Sequence, residues 1–468
     1  MTAIVTLSEL RARFAVGLAE LYGREVPAYT TLVDVSRQVN EDHIRRHGRQ
    51  VERLGSIDRV TAERHGAIRV GSPAELAQAA RLFAGFGMKP VGFYDLRDAS
   101  SSSVPVVSTA FRPTAPDELA RNPFRVFTSM LVSDDRRFFD EATQRQLETF
   151  IAARRLFGEE LLGLADRSAA DGGLSPDDAD RFLALATAAF ELSPDPIDEA
   201  WYRHLKRISA VAADIGGSPS THINHLTPRV LDIDDLYARM SARGITMIDE
   251  VQGPPAWAGP DVLLRQTSFR ALDESRLFRQ PDGTVTEGLL RVRFGEVEQR
   301  GIALTERGRD VYERATAEVV RQLYAVTGRE ARGAVAAEVW ADFFPIHEVD
   351  LALSGLGFFT YRAASSAPYT GTGDLRALLT SGAVVAEPIV YEDFLPRSAA
   401  GIFQSNLADQ GSRDHAAQAK NYDMERLSES IGLPIDEPVA LYRRQQDKSL
   451  AEVGRTLGVT VTGTPTGR

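Results

Sequence analysis

The chain has 468 residues, with 54 Lys and Arg against 65 Asp and Glu (formal net charge -11), 8 His and no cysteine. That length supports two to four domains around a substantial core. The missing thiol excludes disulfides, cysteine-ligated zinc, iron–sulfur clusters and a cysteine nucleophile, the acidic balance without a Lys/Arg tract argues against a nucleic-acid partner, and no apolar stretch reaches the length of a membrane span. The first residues, MTAIVTLSELRARF, lack a basic segment followed by a long apolar run, so a cytoplasmic location is expected.

Residues 1–59 read as a helical region. Ser8 is placed to cap a helix whose apolar positions include Leu10, Phe14, Leu18 and Leu21. A second helix is expected from Thr31 to Gln50. It carries His43 and His47 four residues apart, a metal-ligand spacing, but Arg45, Arg46 and Arg49 would repel a cation, so this reads as a solvated face.

Residues 60–132 read as βαβββ. A strand at His65 leads to Ser72-Pro73, a helix start. The helix runs to about Phe86 and Gly87 ends it. Strands follow at Lys89 to Leu96, Val104 to Arg112 and Phe124 to Val132. Residues 133–217 change to a helical period, with Ser175-Pro176-Asp177-Asp178 as a clear start. They are expected to form an insertion of about four helices, with His204 in a structural role.

Residues 218–310 repeat the βαβββ order. The strand at His225 is followed by a helix start at Asp232, a stop at Gly244, and strands at Ile245 to Val251, Leu263 to Arg270 and Leu289 to Leu304. Pro228 cannot donate to a ladder, so an irregular or edge pairing is expected there. Residues 311–468 read as a C-terminal region of helices and loops that completes the pocket.

Two landmarks relate the halves. His65-Gly66-Ala67-Ile68-Arg69-Val70 and His225-Leu226-Thr227-Pro228-Arg229-Val230 share His, three residues, Arg, Val, and Thr109-Ala110-Phe111-Arg112 matches Thr267-Ser268-Phe269-Arg270. Nearly equal spacing of such landmarks points to an internal duplication. Alternation puts His65, Ala67 and Arg69 on one strand face, and His225, Thr227 and Arg229 likewise. An imidazole and a guanidinium about 13 Å apart along a strand suit a metal ligand at one end and an anion clamp at the other. A carboxylate pointing inward would complete the set; the strand alone reads equally as an edge whose glutamates face solvent and pair with Arg293 or Arg300. Glu296 and Glu298 both qualify by alternation, and His222 competes with His225, with the repeat favouring His225. Two His and one carboxylate form the facial triad of non-haem Fe(II) oxygenases, with open positions for substrate and oxygen.

The tandem βαβββ order with a His in each first strand resembles the vicinal oxygen chelate superfamily. The strand Phe294-Gly295-Glu296-Val297-Glu298-Gln299-Arg300 is similar to the Phe-x-Glu-[Ile/Val]-x-Gln-Arg pattern of that superfamily's dioxygenases, which selects Glu296. Aligning Arg125-Val126 with Arg291-Val292 sets Met130 opposite Glu296, so one metal centre is expected rather than two. The longer phrases Ile223 to Arg229, Phe294 to Gly301 and Ser398-Ala399-Ala400-Gly401-Ile402-Phe403-Gln404-Ser405-Asn406 resemble the 2-oxoadipate dioxygenase/decarboxylase family, over almost the whole chain.

The resemblance implies an α+β fold: two vicinal-oxygen-chelate-like modules in a partly closed mixed sheet around a metal, with N-terminal helices, a helical insertion and a C-terminal α/β extension. It implies Fe(II) on His65, His225 and Glu296, and conversion of 2-oxoadipate and O2 to 2-hydroxyglutarate and CO2 in lysine catabolism. Arg69 would hold the distal carboxylate and Ser398 would line the pocket. Arg397 stands where the family pattern has an apolar residue, so it joins the expected substrate-binding set. Arg229 is left open as a structural ion-pair member. The competing readings are another metal-dependent enzyme of the superfamily (isomerase, lyase or ring-cleaving dioxygenase) and a metal-free binding protein of the same fold.

Overall fold

At the centre of the computed structural model lies a five-stranded sheet, ordered Lys89–Asp95, Val106–Arg112, Arg125–Leu131, Arg64–Val70, His225–Pro228. The structure describes residues 4–48, 53–98, 104–291, 293–324, 326–365, 369–395, 413–414 and 419–464. The sheet is mixed: the His65 strand runs parallel to Arg125–Leu131 and antiparallel to His225–Pro228. Pro228 sits opposite Arg64 at the end of its short strand. Beyond it, Arg229 bridges Glu298 in parallel, and the Val230 N–H donates to the Glu298 carbonyl at 2.8 Å. This bridge continues the sheet into the antiparallel pair Gly295–Arg300 and Leu264–Phe269.

The two faces of the His65 strand go to different cores, so the strand is covered on both sides. Ile68 and Val70 pack with Leu76, Ala79, Leu82 and Phe83 of the helix Pro73–Ala84, and with Phe14 and Leu18 of the N-terminal helix Leu7–Glu25. Ala67 faces the other way, toward Tyr94, Phe127 and Phe394. Leu10, Phe14, Leu18 and Leu21 are buried at the expected period, but the cap is Thr6, not Ser8. Val5–Thr6 pairs with Gly173–Leu174, and that pairing ends where the helix begins. The second helix starts at Pro27, earlier than expected, because proline fits the first helical position.

The insertion holds five helices, Glu141–Ala153, Glu159–Asp171, Pro176–Ala188, Glu199–Ile208 and Ala210–Gly217. The Ser175 hydroxyl caps the third at the Asp178 N–H. His204 hydrogen-bonds Thr143 at 3.1 Å.

The second half departs from the expected order in two places. Ile245 to Val251 is not a strand: Met247 makes a single bridge to Phe269, and Gln252 one to Gln266. Leu289 to Leu304 is not one strand either. Val285–Leu290 turns back on Glu274–Arg279 in a separate hairpin, which also pairs with Ile197–Asp198, and a fresh strand begins at Gly295. The C-terminal region packs around Trp340, Phe358, Tyr391 and Tyr442 in a core it shares with Leu263, Leu264 and Ile302 of the second half. Backbone bonds from Ala303 N–H to Ile389 and from Tyr391 N–H to Gly301 stitch it to the end of the Glu296 strand.

Candidate metal centre

The register between the first strands of the two halves assembles the site. His65 lies opposite Thr227, and Ala67 opposite His225. Exchanging the halves carries the first pair onto the second, so the pairing has a local two-fold symmetry. It sets the two imidazoles on one face as diagonal neighbours, within reach of each other. Their ring centroids are 5.2 Å apart and nearly perpendicular.

Glu296 enters from the third strand in. Its Oε2 lies 3.2 Å from His225 Nε2 and 3.6 Å from His65 Nε2, and the Thr227 hydroxyl donates to it at 3.4 Å. One donor atom from each of His65, His225 and Glu296 falls within 4.8 Å of the others, and all three residues are buried. No second such group occurs among the described residues. Phe394 stands edge-on to His65 at 4.9 Å and Phe294 lies 5.3 Å from His225, so aromatic walls shield the cluster from water.

Glu298 shares the inward face with Glu296, as alternation requires, but does different work. Its Oε2 accepts from His65 Nδ1 at 3.0 Å. Its carboxylate also takes Arg300 Nε at 2.6 Å, Arg300 Nη2 at 2.9 Å and Arg125 Nη1 at 3.2 Å. Burial alone would raise this carboxyl; Arg300, His65 and Arg125 overcome it and hold it well below the ordinary range. His65 is likewise opposed by burial, yet Glu298 and Glu296 hold its pKa above the usual imidazole value.

His225 is the contrasting case. Burial, the largest influence, pushes its pKa down to about 4 despite Glu296. Neither ring nitrogen has a hydrogen-bond partner among the described residues; the approach of Nε2 to Glu296 lacks hydrogen-bond geometry. A neutral, buried imidazole with an unused lone pair beside a carboxylate is a donor set that a divalent cation satisfies. The residues present therefore fit a metal ion.

The other expected residues fall as follows. Arg69 is buried on the His65 face and ion-pairs with Asp214 of the helix Ala210–Gly217. His222 is not in a strand. Its Nε2 lies 3.4 Å from Asp214 and 3.0 Å from the Asn224 amide, away from the Glu296 cluster. Arg229 is a buried ion-pair partner of Glu63 at 2.8 Å, and its Nη2 donates to the Leu54 carbonyl. His43 is part-exposed and faces Asp232 at 3.8 Å, while Arg45, Arg46 and His47 are exposed. Arg397 and Ser398 lie outside the described residues.

The alignment that set Met130 opposite Glu296 is corrected by the pairings. Ala110 faces Phe127 as Ser268 faces Glu296, and Arg69 pairs with Ser129 as Arg229 bridges Glu298. Both relations make Phe127 the counterpart of Glu296 and Ser129 that of Glu298. Sequence reasoning also missed Asp214 and Glu63. No local pattern marks them: Asp214 lies 145 residues along the chain from Arg69, and Glu63 lies 166 from Arg229.

Residues 14–406 match the profile of the family described as 2-oxoadipate dioxygenase/decarboxylase. A Mycobacterium tuberculosis protein of that name is 57% identical over 434 residues, covering 93% of this chain and 95% of the relative. A Pseudomonas putida protein of the same name is 38% identical over 468 residues, covering 97% and 98%. Among solved structures, the hydroxyglutarate synthase of Pseudomonas putida in complex with 2-oxoadipate matches with a TM-score of 0.83 and 35% identity, over 98% of this chain and 100% of that one.

Proposed function

Because this chain belongs to the 2-oxoadipate dioxygenase/decarboxylase family, we propose that it converts 2-oxoadipate and O2 to 2-hydroxyglutarate and CO2, using Fe(II) held by His65, His225 and Glu296. The observation that carries this is the buried two-His, one-carboxylate cluster at the junction of the two halves. The matched strand registers of the halves support reading them as modules of the vicinal oxygen chelate type.

A ferrous ion supplies chelation of the 2-oxo acid and activation of O2. The chain supplies the rest. His65 and His225 offer neutral nitrogen donors and Glu296 the anionic one. Phe394, Phe294 and Phe127 exclude bulk water, which strengthens every charge interaction inside. Arg69 takes the distal carboxylate of the substrate, exchanging it for Asp214; a charge-assisted pair of this kind contributes roughly 1.5–3 kcal/mol. The overall reaction balances: six carbons and O2 become a five-carbon hydroxy acid and CO2, with one oxygen atom in the new carboxylate and one in the new hydroxyl.

The test is an anaerobic Fe(II) titration followed by oxygen-uptake traces with a panel of 2-oxo acids. One iron per chain, with uptake greatest for 2-oxoadipate and CO2 released in equal amount, is the expected result. Absence of iron binding, or no uptake with any 2-oxo acid, would overturn the proposal.

A further inference from the structure

Every acceptor position of the Glu298 carboxylate faces a donor. Oε1 receives Arg125 Nη1 and Arg300 Nε, and Oε2 receives Arg300 Nη2 and lies 3.0 Å from His65 Nδ1. An ionised carboxylate can only accept, and a guanidinium can only donate. The proton in the contact with His65 must therefore sit on Nδ1. That leaves Nε2 to face Glu296, whose Oε2 is 3.6 Å away.

We propose that Glu298, fixed by Arg125 and Arg300, is a positioning residue that locks His65 in the tautomer able to ligate a metal through Nε2. The inference rests on the reading of His65, His225 and Glu296 as metal ligands. Carboxylate partners of ligating imidazoles set ring orientation and tautomer, and their loss typically weakens metal binding about 10- to 100-fold. His225 has no such partner among the described residues, so the device acts on one imidazole of the pair. Glu298 touches neither the ion nor the substrate in this scheme; it acts through His65.

Glu298→Gln gives a directional outcome. The carbonyl oxygen of glutamine belongs at the Oε1 position, where two guanidinium donors converge. Its NH2 then faces His65 Nδ1, which accepts that bond only if the ring proton moves to Nε2. The variant thus favours the tautomer that cannot ligate.

The test uses nitrogen-15-histidine protein, metal-free and at alkaline pH so that the ring is neutral, with a His65→Asn sample to identify the signal. The wild type is expected to show a protonated Nδ1 and bare Nε2 at His65, and Glu298→Gln the reverse. Zinc affinity, read by chelator competition, is expected to fall about 10- to 100-fold in the variant. A protonated Nε2 in the wild type would overturn the proposal even if the variant did not fold. Unchanged zinc affinity in Glu298→Gln would overturn it alone, whereas failure of the wild type to bind zinc would overturn the metal-site reading with it.

Discussion

The two halves share backbone pairings and differ in what those pairings carry. On the first half, the strand beside His65 presents Phe127 and Ser129; on the second, the equivalent strand presents Glu296 and Glu298. Arg69 and Arg229 occupy matching positions, yet Arg69 meets Asp214 of the insertion and Arg229 meets Glu63. A symmetric scaffold brings two imidazoles together, and asymmetric side chains then fix which half supplies the carboxylate and which acidic partner each guanidinium meets.

Making the halves alike should have the largest effect. Glu296→Phe installs the first half's residue in the second, and is expected to abolish metal binding and with it oxygen uptake, checked by metal analysis of the purified variant. Retention of stoichiometric iron would break the comparison. Arg69→Ala should lower 2-oxoadipate turnover about 10- to 100-fold, from the strength of one charge-assisted pair, while iron stays bound. Loss of iron in that variant would contradict the division of roles.

Arg229→Ala tests the other guanidinium. Removing one member of a buried pair typically costs about 3–5 kcal/mol, and urea denaturation should show it, with zinc affinity little changed. The same pair predicts acid sensitivity. Burial opposes the charged Glu63, but Arg229, Arg125, Arg59 and Arg300 hold its pKa below the ordinary 4.5. An unfolded chain binds a proton near 4.5 that the folded chain resists, so this stabilisation is complete above that pH and is lost as the pH falls below it. Melting temperatures of the metal-free protein, taken from about pH 6 to about pH 3.5, should begin to fall below about pH 4.5, and fall less in Arg229→Ala. The smallest effect belongs to Ser129→Ala at the counterpart of Glu298. It removes the 2.8 Å bond to Ser108, a change of about 1 kcal/mol, with no change in metal affinity.

Local periodicity made much of this legible. The His-x3-Arg-Val repeat located both central strands, and alternation placed Glu296 and Glu298 on one face. The error at Met130 came from aligning Arg125-Val126 with Arg291-Val292 by likeness alone. The hairpin Glu274–Arg279 to Val285–Leu290 lengthens the second half before its last strand, and an alignment by two like residues falls three positions short of the paired register. Its turn, Gln280-Pro281-Asp282-Gly283, was readable as such in the sequence. The ion pairs were not readable, because Glu63, Asp214 and Glu392 reach their partners from separate segments through tertiary packing.

Glu392 and Asp393 sit just beyond the strand Val384–Pro388, yet each reaches an arginine of the central sheet. Glu392 pairs with Arg59 and Arg125, and Asp393 with Arg112 and the Tyr442 hydroxyl. A fragment ending before residue 392 would strand guanidiniums in the interior with fewer counter-ions than they need, a penalty of several kcal/mol per ion by the usual magnitude. Excising the two related halves as a minimal catalytic piece should therefore yield insoluble material, and the segment at Glu392-Asp393 counts as an internal part of the catalytic body rather than an appendage.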